Sequence, residues 1–265
     1  MAARRLFLVD GTALAYRSFF AFIRNPLTTS RGLNTSAVFG FTQALTRLMD
    51  AEPGATIVVA WDAAAPTFRH REFASYKATR EKMPDEMRGQ LPYVEQVVRA
   101  YGLPFLALPG WEADDIIGTL ARKGADAGWR VAIVAGDKDF MQLVDDRVTQ
   151  WIPRPAGDFE KLSAEGVKQK TGVPPDRITD LLGLMGDASD NVPGVKGVGE
   201  KTARDLVLQF GTLEGALDAA AKLGGKKLYE NLAASRDVGR GFPKRLVTID
   251  TAAPVDLDDI ERAHA

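Results

Sequence analysis

Leu6-Phe7-Leu8-Val9-Asp10-Gly11 decides the fold. Four apolar residues in a row, bounded at once by an acid and a glycine, are too short for a helix and read as a buried strand. Working outward, the arrangement recurs: the segment 56–61 runs into Asp62, and 131–135 runs through Gly136 into Asp137 and Asp139. Segments 105–108 and 148–152 are two further strand candidates. Helical stripes fill the gaps, with Val38, Phe41, Leu45 and Leu48 in one and Leu91, Val94, Val98 and Tyr101 in another, the second ending at Gly102 where a C-terminal cap belongs. Strands alternating with helices predict an α/β domain over residues 1–160, with a mostly parallel central sheet flanked by helices. After about Lys161 the strand signals stop. Helical segments at 177–185, 201–210, 212–223 and 226–233, separated by Gly and Pro, predict a smaller helical domain over 161–265.

The chain has 265 residues, 45% hydrophobic and 26% charged, which suits a globular protein with a sizeable core. No apolar run reaches bilayer-spanning length, and Arg4 and Arg5 lead directly into a strand too short for the core of a secretory signal. A cytoplasmic monomer without a membrane partner is expected. Zero cysteines exclude disulfides, thiolate metal sites and a cysteine nucleophile, and only His70 and His264 offer imidazole chemistry. Any catalytic metal must sit among carboxylates. The formal net charge of −1 argues against simple coating of nucleic acid, although bases do cluster. Arg69, Arg71, Lys77, Arg80 and Lys82 outnumber the acids around them, as do Lys222, Lys226, Lys227, Arg236, Arg240, Lys244 and Arg245. Each run is either a solvated face or a basic contact surface.

Asp10, Asp62 and the pair Asp137 and Asp139 all follow strands. In an open parallel sheet the carboxyl ends of the strands form one rim, where ligands bind. Glu112, Asp114 and Asp115 open the helix carrying Ile117 and Leu120, whose N-terminus favours anions. Singly, each acid reads as a turn residue or a helix-dipole complement. Together they demand cations, because two carboxylates 4 Å apart repel by about 4 kcal/mol at an effective dielectric of 20. Oxygen-only ligands select Mg²⁺ or Mn²⁺ rather than zinc. Two such ions about 4 Å apart would activate a water and stabilise the leaving oxygen of a phosphodiester without any nucleophilic side chain.

Residues 186–203 read Gly-Asp-Ala-Ser-Asp-Asn-Val-Pro-Gly-Val-Lys-Gly-Val-Gly-Glu-Lys-Thr-Ala. Asp187 and Asp190 precede a glycine-rich turn in which Gly194, Gly197 and Gly199 allow close approach of a phosphate, with Lys196, Lys201 and Arg204 adding charge. A P-loop is excluded, since Glu200 lies between the last glycine and Lys201 and no buried strand precedes. A plain turn between helices remains the alternative.

On residues 9–11, 61–63, 68–80, 112–115, 136–139 and 186–203, in that order and spacing, the chain resembles the 5′-nuclease or flap endonuclease family, in the branch that forms the N-terminal 5′-3′ exonuclease domain of bacterial polymerases. The resemblance spans nearly the whole chain and implies a PIN-like or resolvase-like sheet domain, with a helical arch around 69–92 and a helix-three-turn-helix around 186–210. It assigns Asp10, Asp62, Glu112 and Asp114 to a first metal and Asp137, Asp139 and Asp190 to a second, with Asp115 and Asp187 in support. The resemblance further implies that Asp114 bridges the two. It also implies that Lys77 and Arg80 steer the scissile phosphate, that Tyr76 stacks on a base, and that Arg17 and Arg69 stand near the same gateway. Gly194, Lys196, Gly197, Gly199, Lys201 and Thr202 would grip the duplex backbone, with a K⁺ ion. Tyr16 and Phe19 read as core. The implied substrates are branched or 5′-flap DNA, nicked duplex and RNA–DNA primer junctions, in primer removal and repair, with a DNA polymerase acting in cis or in trans. A non-catalytic structure-specific DNA-binding module is the competing reading. An aspartyl-nucleophile phosphatase fails because Thr12 stands where a second Asp is required.

Overall fold

Strand β1, Arg5–Asp10, is buried over its apolar length because a parallel neighbour covers each side: β2, Thr56–Trp61, pairs Val9 with Val59, and β4, Arg130–Val134, pairs Val9 with Val134. A computed structural model, described for residues 4–154, 158–223, 227–237 and 242–263, extends this core outward. With β3, Phe105–Ala107, β5, Val148–Pro153, and β6, Phe159–Leu162, the sheet has six strands in the order β3-β2-β1-β4-β5-β6. All pairings are parallel except β5 with β6.

The first half carries α1 (Gly11–Ala21), α2 (Ser36–Ala51), α3 (Phe68–Glu72), α4 (Asp85–Arg88), α5 (Leu91–Ala100) and α6 (Ala113–Asp126). The second carries α7 (Ala164–Thr171), α8 (Ile178–Met185), α9 (Glu200–Phe210), α10 (Leu213–Leu223), α11 (Lys227–Asp237), α12 (Phe242–Val247) and α13 (Leu257–Ala263). Side-chain alternation along β1 divides the sheet's two layers. Leu6 and Leu8 pack with Ile116, Ile117 and Leu120 of α6, while Phe7 and Val9 pack with Phe41, Leu45, Val94 and Val98. A third core, including Leu181, Leu206 and Leu217, unites the helical half. The chain then returns: Ile249, Ala253, Val255 and Ile260 pack into the layer of α6, closing the core of the first half with residues from the end of the second.

The expected sheet and helical half are present; α7, α12 and α13 come in addition to the expected helices, and two other places differ. Strand β6 was hidden from a hydropathy reading because Glu160 and Lys161 occupy its centre. Charge suits an edge position, where it discourages further strand pairing, and the Lys161 ammonium lies over the Trp151 ring. The segment expected as a helical arch holds the short α3 and α4, with turns between them, before α5 begins at Leu91. Among the described residues no helix is long and apolar enough to cross a membrane.

Candidate metal centre

Strand order reverses between β1 and β4, so the carboxyl ends of β2, β1 and β4 form the switch-point crevice. Asp10 ends β1 and caps α1, accepting from Ala13 N–H at 2.9 Å. Gly11 is required beside it, since a Cβ there would stand 2.6 Å from Val59 and 2.7 Å from Trp61. Asp62 follows β2; its N–H donates to Thr12 Oγ1 at 3.0 Å and its Oδ1 accepts from Ala113 N–H at 2.9 Å, which fixes the start of α6 against the rim. Asp137 accepts from Asp139 N–H at 3.0 Å, while buried Gln150 donates to the Asp137 and Ala135 carbonyls and holds that turn in place.

The four aspartates at 10, 62, 114 and 137 feel one another. Burial, then the charges of Asp62 and Asp137, push Asp10 up to about 7, against the Ala13 bond that lowers it. Burial, then Asp10, Asp137 and Asp62, likewise hold Asp114 well above the ordinary carboxylate range. Asp115 stands apart. It is fully buried, and Arg69 donates to both its oxygens at 2.8 and 2.9 Å while the N–H groups of Asp250 and Glu112 donate at 2.9 and 3.2 Å. Four donors leave no lone pair for an ion, so the expectation of Asp115 as metal support is corrected. Arg69 is corrected with it: only 2% exposed, it also donates to the carbonyls of Leu246 and Thr248, joining α3, α6 and the C-terminal segment instead of facing DNA.

A second group of acids lies across the crevice. Burial and the charges of Asp137 and Asp187 raise Asp139 well above the ordinary range, although Lys138 opposes them. Burial pushes Asp187 up too, but bonds from Ser189 and the Lys138 ammonium at 3.1 Å outweigh it and leave the group low. Asp190 accepts from Tyr76 Oη at 2.8 Å and from Arg80 at 2.5 Å. The Tyr76 hydroxyl, with one proton to give, also lies 3.1 Å from Glu112 Oε2, and the residue is 3% exposed, so its expected base-stacking role is not available in this conformation. Lys77 Nζ stands 3.0 Å from Glu112 and 3.8 Å from Asp190; burial would lower its pKa, but those carboxylates outweigh burial and keep it charged.

The pocket is open. Among the described residues no group of three acidic or histidine side chains is closed around a common point where an ion would sit. The donor set nevertheless fits a hard divalent cation. All of its ligands are carboxylate oxygens, three of its acids are driven toward protonation, and Asp139 Oδ1 is buried without any hydrogen-bond partner. A cation among them relieves each of these costs.

In the glycine-rich loop, Gly194 serves internal packing, because a Cβ there would lie 2.2 Å from the Met185 carbonyl carbon. Gly199 faces open space and is the N-cap of α9 without a side-chain cap, leaving the first N–H groups of that helix for a ligand. Gly197 takes the left-handed conformation at φ 79°. Lys196, Lys201 and Thr202 flank this end, the two lysines exposed. Arg17 is exposed on α1, beside a cleft of about 580 Å³ shared with Arg47 and Arg154. Phe19 is core as expected, and Tyr16 is half-buried beside it. Within the basic run 222–245, three bases make ion pairs with acids of this chain: Lys227 meets Glu230, Lys244 meets Asp180 and Glu214, and Arg245 meets Glu72. Lys226 and Arg240 lie outside the described residues, as does His264.

Sequence reasoning assigned no orienting role to Thr12, Gln150, Lys138 or Asn191, all of which orient the acids or the segments bearing them. Only Asn191, inside the glycine-rich motif, carried a local signal, since asparagine tolerates left-handed backbone.

A family model described as 5′-3′ exonuclease, N-terminal resolvase-like domain, matches residues 5–172, and one described as 5′-3′ exonuclease, C-terminal SAM fold, matches residues 173–265. The chain is 43% identical over 261 residues to DNA polymerase I of Bacillus caldotenax, covering 97% of this chain and 29% of that protein. It is 44% identical over 214 residues to the thermostable DNA polymerase I of Thermus filiformis, covering 81% of this chain and 25% of that protein. The chain thus spans under a third of those relatives' length. Among solved structures, T5 5′-exonuclease with bound zinc aligns at a TM-score of 0.78 and 21% identity, covering 98% of this chain and 97% of that one. The catalytic core of Rad2 in complex with DNA substrate aligns at 0.60 and 19%, covering 97% and 82%. At such identities the likeness is one of fold.

Proposed function

The chain belongs to the 5′-3′ exonuclease family, and from that premise we propose that it is a divalent-metal nuclease that cuts phosphodiesters at the 5′ ends and 5′ flaps of branched DNA, nicked duplex and RNA–DNA primer junctions. The observation that carries the proposal is the meeting of Asp10, Asp62, Asp114 and Asp137 outside the switch point, where burial and then their mutual charge raise the proton affinity of Asp10 and Asp114. Asp10, Asp62, Glu112 and Asp114 would hold one ion. Asp137, Asp139 and Asp190 would hold another, beside Asp187, with Asp114 facing both. When bound, Mg²⁺ or Mn²⁺ supplies an activated water and neutralises charge on the phosphate during in-line attack.

The chain's own residues bring the phosphate there. The Lys77 ammonium, already among the acids, and the half-exposed Arg80 guanidinium offer positive charge to a strand entering the crevice. The uncapped start of α9, with Lys196, Gly197, Gly199, Lys201 and Thr202, takes duplex phosphates without reading bases, and we place a K⁺ ion at the same loop. Cleavage leaves a 5′-phosphate and a 3′-hydroxyl, the ends a polymerase acting in cis or in trans works between in primer removal and repair. A 5′-labelled flap substrate incubated with protein in Mg²⁺ is expected to release its flap, and EDTA to stop the release. Binding without cleavage in Mg²⁺ would leave a DNA-binding module in place of a nuclease.

A further inference from the structure

Among the described residues other than glycine, positive φ occurs at Lys77 and at Asn191, both at 56°. The two meet. Lys77 N–H donates to the Asp190 carbonyl at 2.9 Å, and Asn191 Nδ2 donates to the Ser75 carbonyl at 2.6 Å, so two left-handed turns from distant parts of the chain are joined by a crossed pair of hydrogen bonds. Arg80 Nε adds a bond to the Ser189 carbonyl at 3.3 Å. Asparagine tolerates left-handed backbone; lysine does so poorly and keeps it only where its surroundings over-determine it. At Lys77 the surroundings are this joint.

The same turn reaches in both functional directions. Upstream, the 75–77 segment ends in an ammonium 3.0 Å from Glu112, inside the acid pocket. Downstream, Asn191 lies within a tight loop closed by reciprocal bonds between Asp187 and Val192 at 2.9 and 2.8 Å, and this loop leads through Gly194 to the uncapped start of α9. A duplex held at α9 and a phosphate met by Lys77 therefore share one rigid corner.

We propose that Asn191 is a positioning residue for the nuclease reaction: its side-chain amide fixes the 75–77 turn, which aims the Lys77 ammonium at the scissile phosphate in register with the duplex held at α9. The inference rests on the nuclease reading of the site. A purely structural asparagine would affect folding alone; a positioning one acts through Lys77 and leaves affinity in place.

Asn191→Gly keeps the left-handed backbone and deletes the amide. With a 5′-labelled flap in Mg²⁺, single-turnover cleavage is expected to slow by about 10- to 100-fold, the cost of a reacting group displaced by an ångström or less. Flap affinity in Ca²⁺ is expected to stay within about twofold and the melting temperature to hold. Asn191→Asp, of the same shape but without a donor, is expected to share the defect. In a Lys77→Ala background Asn191→Gly is expected to cost nothing more, since the group it aims is gone. Losses that multiply independently, or an Asn191→Gly variant that cuts as fast as a cutting wild type, overturn this inference alone. A wild type that binds the flap and leaves it whole overturns the nuclease reading as well.

Discussion

Replacing Arg69 by alanine tests whether a residue that reads as a DNA contact is an internal clasp. The guanidinium gives two bonds to Asp115, at 2.8 and 2.9 Å, and one each to the carbonyls of Leu246 and Thr248, at 3.0 and 2.8 Å. Its removal leaves the Asp115 carboxylate, which has no solvent exposure, without a counter-charge. Breaking a buried pair from one side costs about 3–5 kcal/mol. For a chain of this size each kcal/mol lowers the melting temperature by about 2–4 °C, so a fall of roughly 6–20 °C is expected. Urea and thermal melts of Arg69→Ala, Asp115→Ala and the double variant measure it. Because both residues serve one interaction, the double variant should lose far less than the sum of the singles. A surface contact to phosphate predicts the opposite pattern: a melt within about 0.5 kcal/mol of wild type and weaker, less salt-dependent flap binding. That pattern would refute the clasp.

Asp62→Ala and Asp114→Ala are each expected to abolish cleavage while flap binding stays measurable, because each removes an acid of the pocket and no DNA contact; full activity in either refutes the assignment. Asp10, raised from 3.8 to about 7, binds its proton more tightly in the folded chain than in the unfolded one, so its contribution to stability is present below about pH 4 and is lost as pH rises through 7. The melting temperature in EDTA should therefore fall between pH 5 and pH 8, and millimolar Mg²⁺ should raise it more at pH 8; a Mg²⁺ response equal at both values would count against the pocket. Gly11→Ala should destabilise by about 1–3 kcal/mol in urea melts, since the new Cβ meets Val59, Trp61 and the Ala60 carbonyl with little room to yield. Lys201→Ala should weaken flap binding and flatten its salt dependence, and an unchanged salt slope removes it from the DNA path.

What could be read from the residues alone was what local pattern determines. The runs ending in Asp10, Asp62 and Asp137 announced strands with acids on one rim, because apolar content, length and a bounding glycine are properties of neighbours in the chain. The fate of each charge was not so readable. Arg69 and Lys77 belong to one basic run, yet one is sealed against Asp115 and the other reaches the acid pocket, and the difference is set by partners 46 and 35 positions away. Tyr76 looks like a surface aromatic until Glu112 and Asp190, 36 and 114 positions distant, are brought to its hydroxyl. Strand β6 escaped notice for a related reason: an edge strand needs only one apolar face, and four residues with two charges cannot display it.

The return of Ile249, Ala253, Val255 and Ile260 beneath α6 has a consequence for biosynthesis. A ribosome releases the sheet strands before this strap, so the nascent α/β half must wait, one apolar layer incomplete, until about a hundred further residues have been translated, roughly 5–20 s at typical elongation rates. During that interval the bare flank of α6 is a surface for chaperones to shield.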